Sequence, residues 1–149
     1  MSWSCDAPRS RAMPRHWLFK TEPSAYSFTD LVSAGRATWD GVKNPLALKH
    51  LASVKPGDRV FIYHTGGEKA VVGIATAVSE PYADPKKKDP KLMVVDLEPL
   101  RALPAPVTLA AIKASKSFAG FDLVRLPRLS VMPVAEKHAQ EIESTAKSA

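Results

Sequence analysis

The chain has 149 residues, 45% hydrophobic and 24% charged, with a formal net charge of +6; this suffices for one domain with its own core and is too apolar for a disordered segment. The single cysteine, Cys5, excludes a disulfide or zinc framework and makes a reducing cytoplasm the expected compartment. No apolar run nears the roughly 18 residues of a membrane span, so no membrane partner is expected. The charge permits nucleic acid but is too small for a protein that coats a duplex, and three arginines against one aspartate in the first fifteen residues carry part of it.

Residues 1–15 show no periodicity and read as an N-terminal extension, with Met13 as an alternative start. The domain is expected over 16–146. His16-Trp17-Leu18-Phe19-Lys20 predicts a buried first strand, ended by Glu22-Pro23-Ser24. Ser27-Phe28-Thr29-Asp30 has the spacing of a capping box for a short helix that Gly35 stops. Trp39-Asp40-Gly41 fits neither helix nor strand. Asn44 caps a helix with Pro45 at its first position, and Leu46, Leu48, Leu51 and Val54 form its expected buried face.

Lys55-Pro56-Gly57-Asp58 is a turn, followed by a hairpin of Arg59–His64 and Ala70–Ser79 around Gly66-Gly67. Residues 81–90 read as a loop and Leu92–Leu97 as a strand. Thr108 caps a helix reaching Ser115, with Leu109 and Ile112 inward. Leu123–Val131 reads as extended but broken by Pro127, and a last helix runs over Ala135–Ser144. Short strands interleaved with single helices predict an α+β domain on a small, strongly bent sheet or barrel.

Several separated stretches resemble one family. They are Trp17-Leu18-Phe19-Lys20-Thr21-Glu22-Pro23, Trp39-Asp40-Gly41-Val42-Lys43-Asn44, Val60-Phe61-Ile62-Tyr63-His64, Val72-Gly73-Ile74-Ala75, Tyr82-Ala83-Asp84-Pro85 and Arg128-Leu129-Ser130-Val131-Met132-Pro133-Val134. Together, in this order from Trp17 to Ile142, they resemble the EVE domain, the family that includes the thymocyte nuclear proteins. The resemblance implies a PUA-like β-pseudobarrel decorated with short helices, related to YTH and SRA readers of methylated bases. It further implies binding of a modified base in nucleic acid. Three features depart from the family pattern: Pro45-Leu46-Ala47-Leu48-Lys49, with Leu48 where relatives have arginine; a short loop at 85–91; and His138 at the place of a late tryptophan.

The expected ligand-binding residues are Lys20, Thr21, Glu22, Trp39, Asp40, Gly41, Val42, Asn44, Tyr63, His64, Arg128 and Ser130. Trp39 offers a flat face for a base, and its ring is expected to face an open pocket. Asp40 can accept from an exocyclic amine, and Asn44 can both donate and accept. Another reading makes Trp39 a core residue, Asp40 a turn residue and Asn44 a cap. Lys20, Thr21 and Glu22 leave the first strand at the expected pocket rim, although Glu22 also suits an ion pair with Lys20. His64 reads as a ligand donor or as structural. Arg128, Ser130 and Lys86-Lys87-Lys88 suit phosphate contacts or a solvated surface.

Catalytic signatures are missing from the sequence. The four histidines lack close ligand spacing, so no metal and no cofactor is expected, and no nucleophile elbow or phosphate-binding glycine loop occurs. The expectation is therefore a monomeric, non-catalytic reader of a modified or extruded base, plausibly a pyrimidine, in DNA or RNA. Two alternatives stay open: a nucleic-acid or nucleotide hydrolase acting through Glu22, Asp40 and His64, and a small-ligand or protein-interaction module on the same barrel.

Overall fold

A computed structural model describes residues 15–22, 24, 26–39, 44–66, 69–83, 92–118, 121–125 and 129–148. The chain runs through strand β1 (His16–Thr21), helix α1 (Phe28–Ala34), β2 (Ala37–Trp39), α2 (Pro45–Leu51), β3 (Arg59–His64), β4 (Ala70–Ala77), β5 (Tyr82–Ala83) and β6 (Met93–Thr108). It ends with α3 (Leu109–Ala114), a 3-10 turn at Lys116–Phe118, α4 (Asp122–Arg125), β7 (Val131–Val134) and α5 (Glu136–Ser148). The strands form a mixed sheet in the order β2-β6-β4-β3-β1-β7, with β5 paired to β6. Among the described strands only β1 and β3 run parallel; the other pairs are antiparallel.

The sheet curls into a PUA-like half-barrel, and its bends are built into β4 and β6. Their register shifts between Val71 and Gly73 and again between Ile74 and Ala75, and such bulges bend a strand and raise its twist. β6 is much longer than the expected Leu92–Leu97, because Pro99, Pro104 and Pro106 hide it from a sequence reading. Pro99 lies opposite Ala75 at the second shift, while the partner of β4 jumps from Ala102 to Val107. Pro104 and Pro106 thus fall where no ladder N–H is required.

The helix ends are set by local capping residues. Ser27 and Asp30 form a reciprocal capping box, and Gly35 takes the left-handed conformation (φ 76°) that ends α1. Asn44 caps α2 through Leu46 N–H and Ala47 N–H, and Thr108 caps α3 through Ala111 N–H. The buried face of α2 needs correction: Ala47, Leu51 and Val54 go inward at i, i+4 and i+7, and Leu46 is 41% exposed. Three further expectations fail. The loop expected over 81–90 opens with strand β5, held by its pairing to β6. Trp39 ends a three-residue strand, and Leu123–Val131 opens in helix α4 and reaches strand β7 instead of running extended.

The core joins Trp17, Leu18 and Phe19 of β1 to Val60, Phe61 and Ile62 of β3, with Val131 and Met132 of β7. Asp58, fully buried, anchors the start of this layer: its carboxylate accepts from the backbone N–H of Arg15 and of Lys55 and from Trp17 Nε1. Arg15, expected in the extension, is therefore bound to the domain; residues 1–14 lie outside the described residues. No helix among the described residues is long and apolar enough to cross a membrane.

Candidate functional site

Between β1 and β2 a cavity of about 300 Å³ is lined by Lys20, Thr21, Tyr26, Ala37, Thr38 and Trp39. A turn after β1 builds one side of it. Thr21 Oγ1 donates to the Tyr26 carbonyl at 2.6 Å and Tyr26 N–H donates to the Glu22 carbonyl at 2.8 Å, which fixes Tyr26 at the wall. The Tyr26 ring meets Trp39 edge to face, with centroids 6.3 Å apart, and burial raises the pKa of its phenol.

Trp39 is both core and wall. It lines the cavity, yet its ring lies 5.7 Å from that of Phe19 and only 8% of the residue is exposed. The expectation of a ring facing an open pocket is corrected: the indole is largely buried, with Phe19 and Tyr26 packed against it, because the curl of the sheet brings β1 and β2 together.

Lys20 brings the cation. Its Nζ lies 5.7 Å from the centroid of the buried Tyr63 ring, and desolvation lowers its pKa. The Lys20 N–H donates to the Ser130 carbonyl, so Ser130 supports the strand that presents the lysine. Tyr63 is paired beside Lys20 in the β1–β3 ladder, and burial raises its pKa as well.

The other expected residues fall elsewhere. Glu22 accepts from Ser24 Oγ and Thr65 Oγ1, and its carboxylate lies 3.1 Å from where a Cβ on Gly66 would stand. It thus braces the β3–β4 turn. His64 is buried, and its Nε2 accepts from Phe28 N–H at 3.0 Å, which ties the start of α1 to the sheet. A ring nitrogen that accepts in this way cannot also donate to a ligand. Asn44 serves as the α2 cap. Asp40, Gly41, Val42 and Arg128 lie outside the described residues, as do Lys86-Lys87-Lys88.

Tyr26, Ala37 and Thr38 were missed by the sequence reading. Tyr26 carried a usable signal, an aromatic just past a Glu-Pro-Ser turn; Ala37 and Thr38 carried none, since the strand that holds them is defined by its pairing to β6. Behind β2, Asp96 collects three donors: Thr38 Oγ1 at 3.0 Å, Tyr82 OH at 2.8 Å and Arg36 Nη2 at 3.0 Å. Burial pushes the Asp96 carboxyl up, but these hydrogen bonds and the Arg36 charge outweigh it and hold the group below the usual carboxylate range. Among the described residues no cluster of three or more His, Cys, Asp or Glu side chains is placed to hold a metal.

Comparison with known proteins agrees with this architecture. The human protein "Thymocyte nuclear protein 1" is 30% identical over an alignment covering 82% of this chain and 69% of that protein. An NMR structure of a protein from Rhodopseudomonas palustris superposes with a TM-score of 0.85 at 37% identity, covering 90% of this chain and 94% of the other. The crystal structure of human THYN1 protein in complex with 5-methylcytosine-containing DNA superposes with a TM-score of 0.82 at 25% identity, covering 89% and 98%. The EVE domain profile matches residues 15–145, and the chain belongs to the EVE domain family.

Proposed function

We propose that this protein is a monomeric, cytoplasmic, non-catalytic reader that takes one unpaired or extruded nucleobase, a modified pyrimidine such as 5-methylcytosine, into the cavity between β1 and β2. The observation that carries the reading is the cavity itself. About 300 Å³ lies at the small end of ligand pockets, room for one planar base. Its wall combines two aromatics, Trp39 and Tyr26, with the Lys20 cation, and the other described lining residues, Thr21, Ala37 and Thr38, are uncharged. Stacking on an aromatic wall contributes on the order of 1–3 kcal/mol per base, which offsets the few kcal/mol needed to extrude one. The bound 5-methylcytosine DNA of the human relative supports the choice of ligand.

A hydrolytic reading finds less support. Of Glu22, Asp40 and His64, the histidine has its Nε2 engaged by Phe28 N–H, and Glu22 is held by Ser24 and Thr65. The test is intrinsic fluorescence against single-stranded oligonucleotides with and without 5-methylcytosine. Quenching should saturate, favour the modified strand and persist in part at moderate salt. Binding that ignores the base and vanishes with salt would reveal a general electrostatic surface instead.

A further inference from the structure

The cavity meets the edge of β2, not its face. Ala37, Thr38 and Trp39 all line it, and consecutive strand residues send their side chains to opposite faces. Three in a row can border one cavity only where it runs along the strand. The Thr38 hydroxyl is bonded to Asp96, so its main chain is the part of Thr38 left to face a ligand.

The direction of that main chain follows from the ladder. Among the described residues β2 is an end strand, paired to β6 alone, with Ala37 opposite Leu97, Thr38 opposite Asp96 and Trp39 opposite Val95. Both backbone groups of Asp96 are engaged on the other side of β6: its carbonyl accepts from Val78 N–H at 2.9 Å and its N–H donates to Ser79 Oγ at 3.0 Å. In an antiparallel pair, residues alternate between exchanging both hydrogen bonds and exchanging none. Thr38–Asp96 is therefore a non-bonded pair, Ala37–Leu97 and Trp39–Val95 are the bonded ones, and Thr38 directs its N–H and carbonyl outward, along the edge the cavity follows.

We infer that the main-chain N–H and carbonyl of Thr38 read the Watson–Crick edge of the bound base, donating to a ring nitrogen and accepting from the neighbouring exocyclic amine, as N3 and N4 of a cytosine present them. This deepens the base-binding reading above and rests on it. A strand edge offers one donor beside one acceptor and meets its ligand as it would a further strand. The same edge of the base is used in a duplex, so a paired base is excluded until it leaves the helix. Trp39 and Tyr26 then supply stacking, while the pattern of donor and acceptor comes from backbone that no side-chain substitution removes.

The experiment is amide hydrogen exchange by NMR on the full chain, free and with a single-stranded oligonucleotide bearing one 5-methylcytosine, with binding followed separately by fluorescence anisotropy. In the free protein the Thr38 amide should exchange at least about tenfold faster than those of Ala37 and Trp39, and the oligonucleotide should slow it selectively. An analogue with 2-pyrimidinone in place of the cytosine, lacking the exocyclic amine, should bind at least about tenfold more weakly, the loss expected when a built hydrogen bond is left unmade. Thr38→Pro removes the outward N–H, at a sheet edge where proline is tolerated, together with the hydroxyl bond to Asp96, whereas Thr38→Val removes that hydroxyl alone; both should fold, and the proline variant should bind more weakly than the valine one. Slow Thr38 exchange in the free protein, or binding that leaves Thr38 unprotected, overturns this inference alone. Absence of any oligonucleotide binding overturns both it and the base-binding reading.

Discussion

The rings of Phe19 and Trp39 stand 5.7 Å apart although three strands separate β1 from β2 in the order of the sheet. Four strand spacings in a flat sheet would hold them about 19 Å apart. Their contact is thus a measure of how far the sheet curls, and it packs Trp39, a residue of the cavity wall, against the core. The core and the cavity wall meet at Trp39 for this reason.

Trp39→Ala should therefore abolish oligonucleotide binding and also cost about 3–5 kcal/mol, close to the loss for Trp17→Ala, because both indoles are buried in the core. Trp39→Phe keeps a ring against Phe19 and should lose less stability while still weakening binding. Urea titration and fluorescence anisotropy on the same samples separate the two effects. A Trp39→Phe protein that binds as well as the parent would remove the indole from the ligand's wall.

Asp58 should be intolerant of its own amide. Its two oxygens accept from Trp17 Nε1, Arg15 N–H and Lys55 N–H, and the Asp58→Asn side chain would turn an NH₂ toward donors. The expected loss is on the order of 2–3 kcal/mol, the range for hydrogen bonds to a charged group left unmade in a buried site. Chemical denaturation reads it directly, and Trp17→Phe in the Asp58→Asn background should cost less than in the parent.

Gly73 is required by a close approach. A Cβ there would stand 2.5–2.6 Å from ring atoms of Phe28, which lies across β4 with its backbone held by His64. Gly73→Ala should lose about 1–3 kcal/mol through overpacking. Adding Phe28→Leu should recover part of the melting temperature; a melting temperature unchanged by Gly73→Ala would mean that α1 is free to shift.

Asp96 sets an acid dependence. Its carboxyl titrates lower in the folded protein than in the unfolded chain, because donors from Tyr82, Arg36 and Thr38 outweigh the cost of burial. Its contribution to stability is complete above the unfolded value, near 4, and is lost as pH falls through the lower folded value. Asp96→Asn should therefore lower the melting temperature at pH 7 and flatten its decline below about pH 4. Parallel acid limbs for the two proteins would show that Asp96 is not the group responsible.

The sequence by itself determined the features made by neighbours in the chain. The Ser27–Asp30 capping box, the Asn44 and Thr108 caps, the Gly35 stop and the β3–β4 hairpin all form between residues a few positions apart, so a local pattern specifies them. The recurring motifs carried the EVE resemblance and Trp39 and Lys20 with it. Only the tertiary structure decided the rest. β2 is three residues long and owes its conformation to β6, some sixty residues away; β6 runs through three prolines because bulges and gaps in its pairing free their positions from the ladder. His64, which in sequence suits a ligand contact, is claimed by the backbone of Phe28, and Trp39 is covered because curvature carries β1 over to it. Curvature is a property of the whole sheet, summed from bulges and twist along several strands, and no window of sequence contains it.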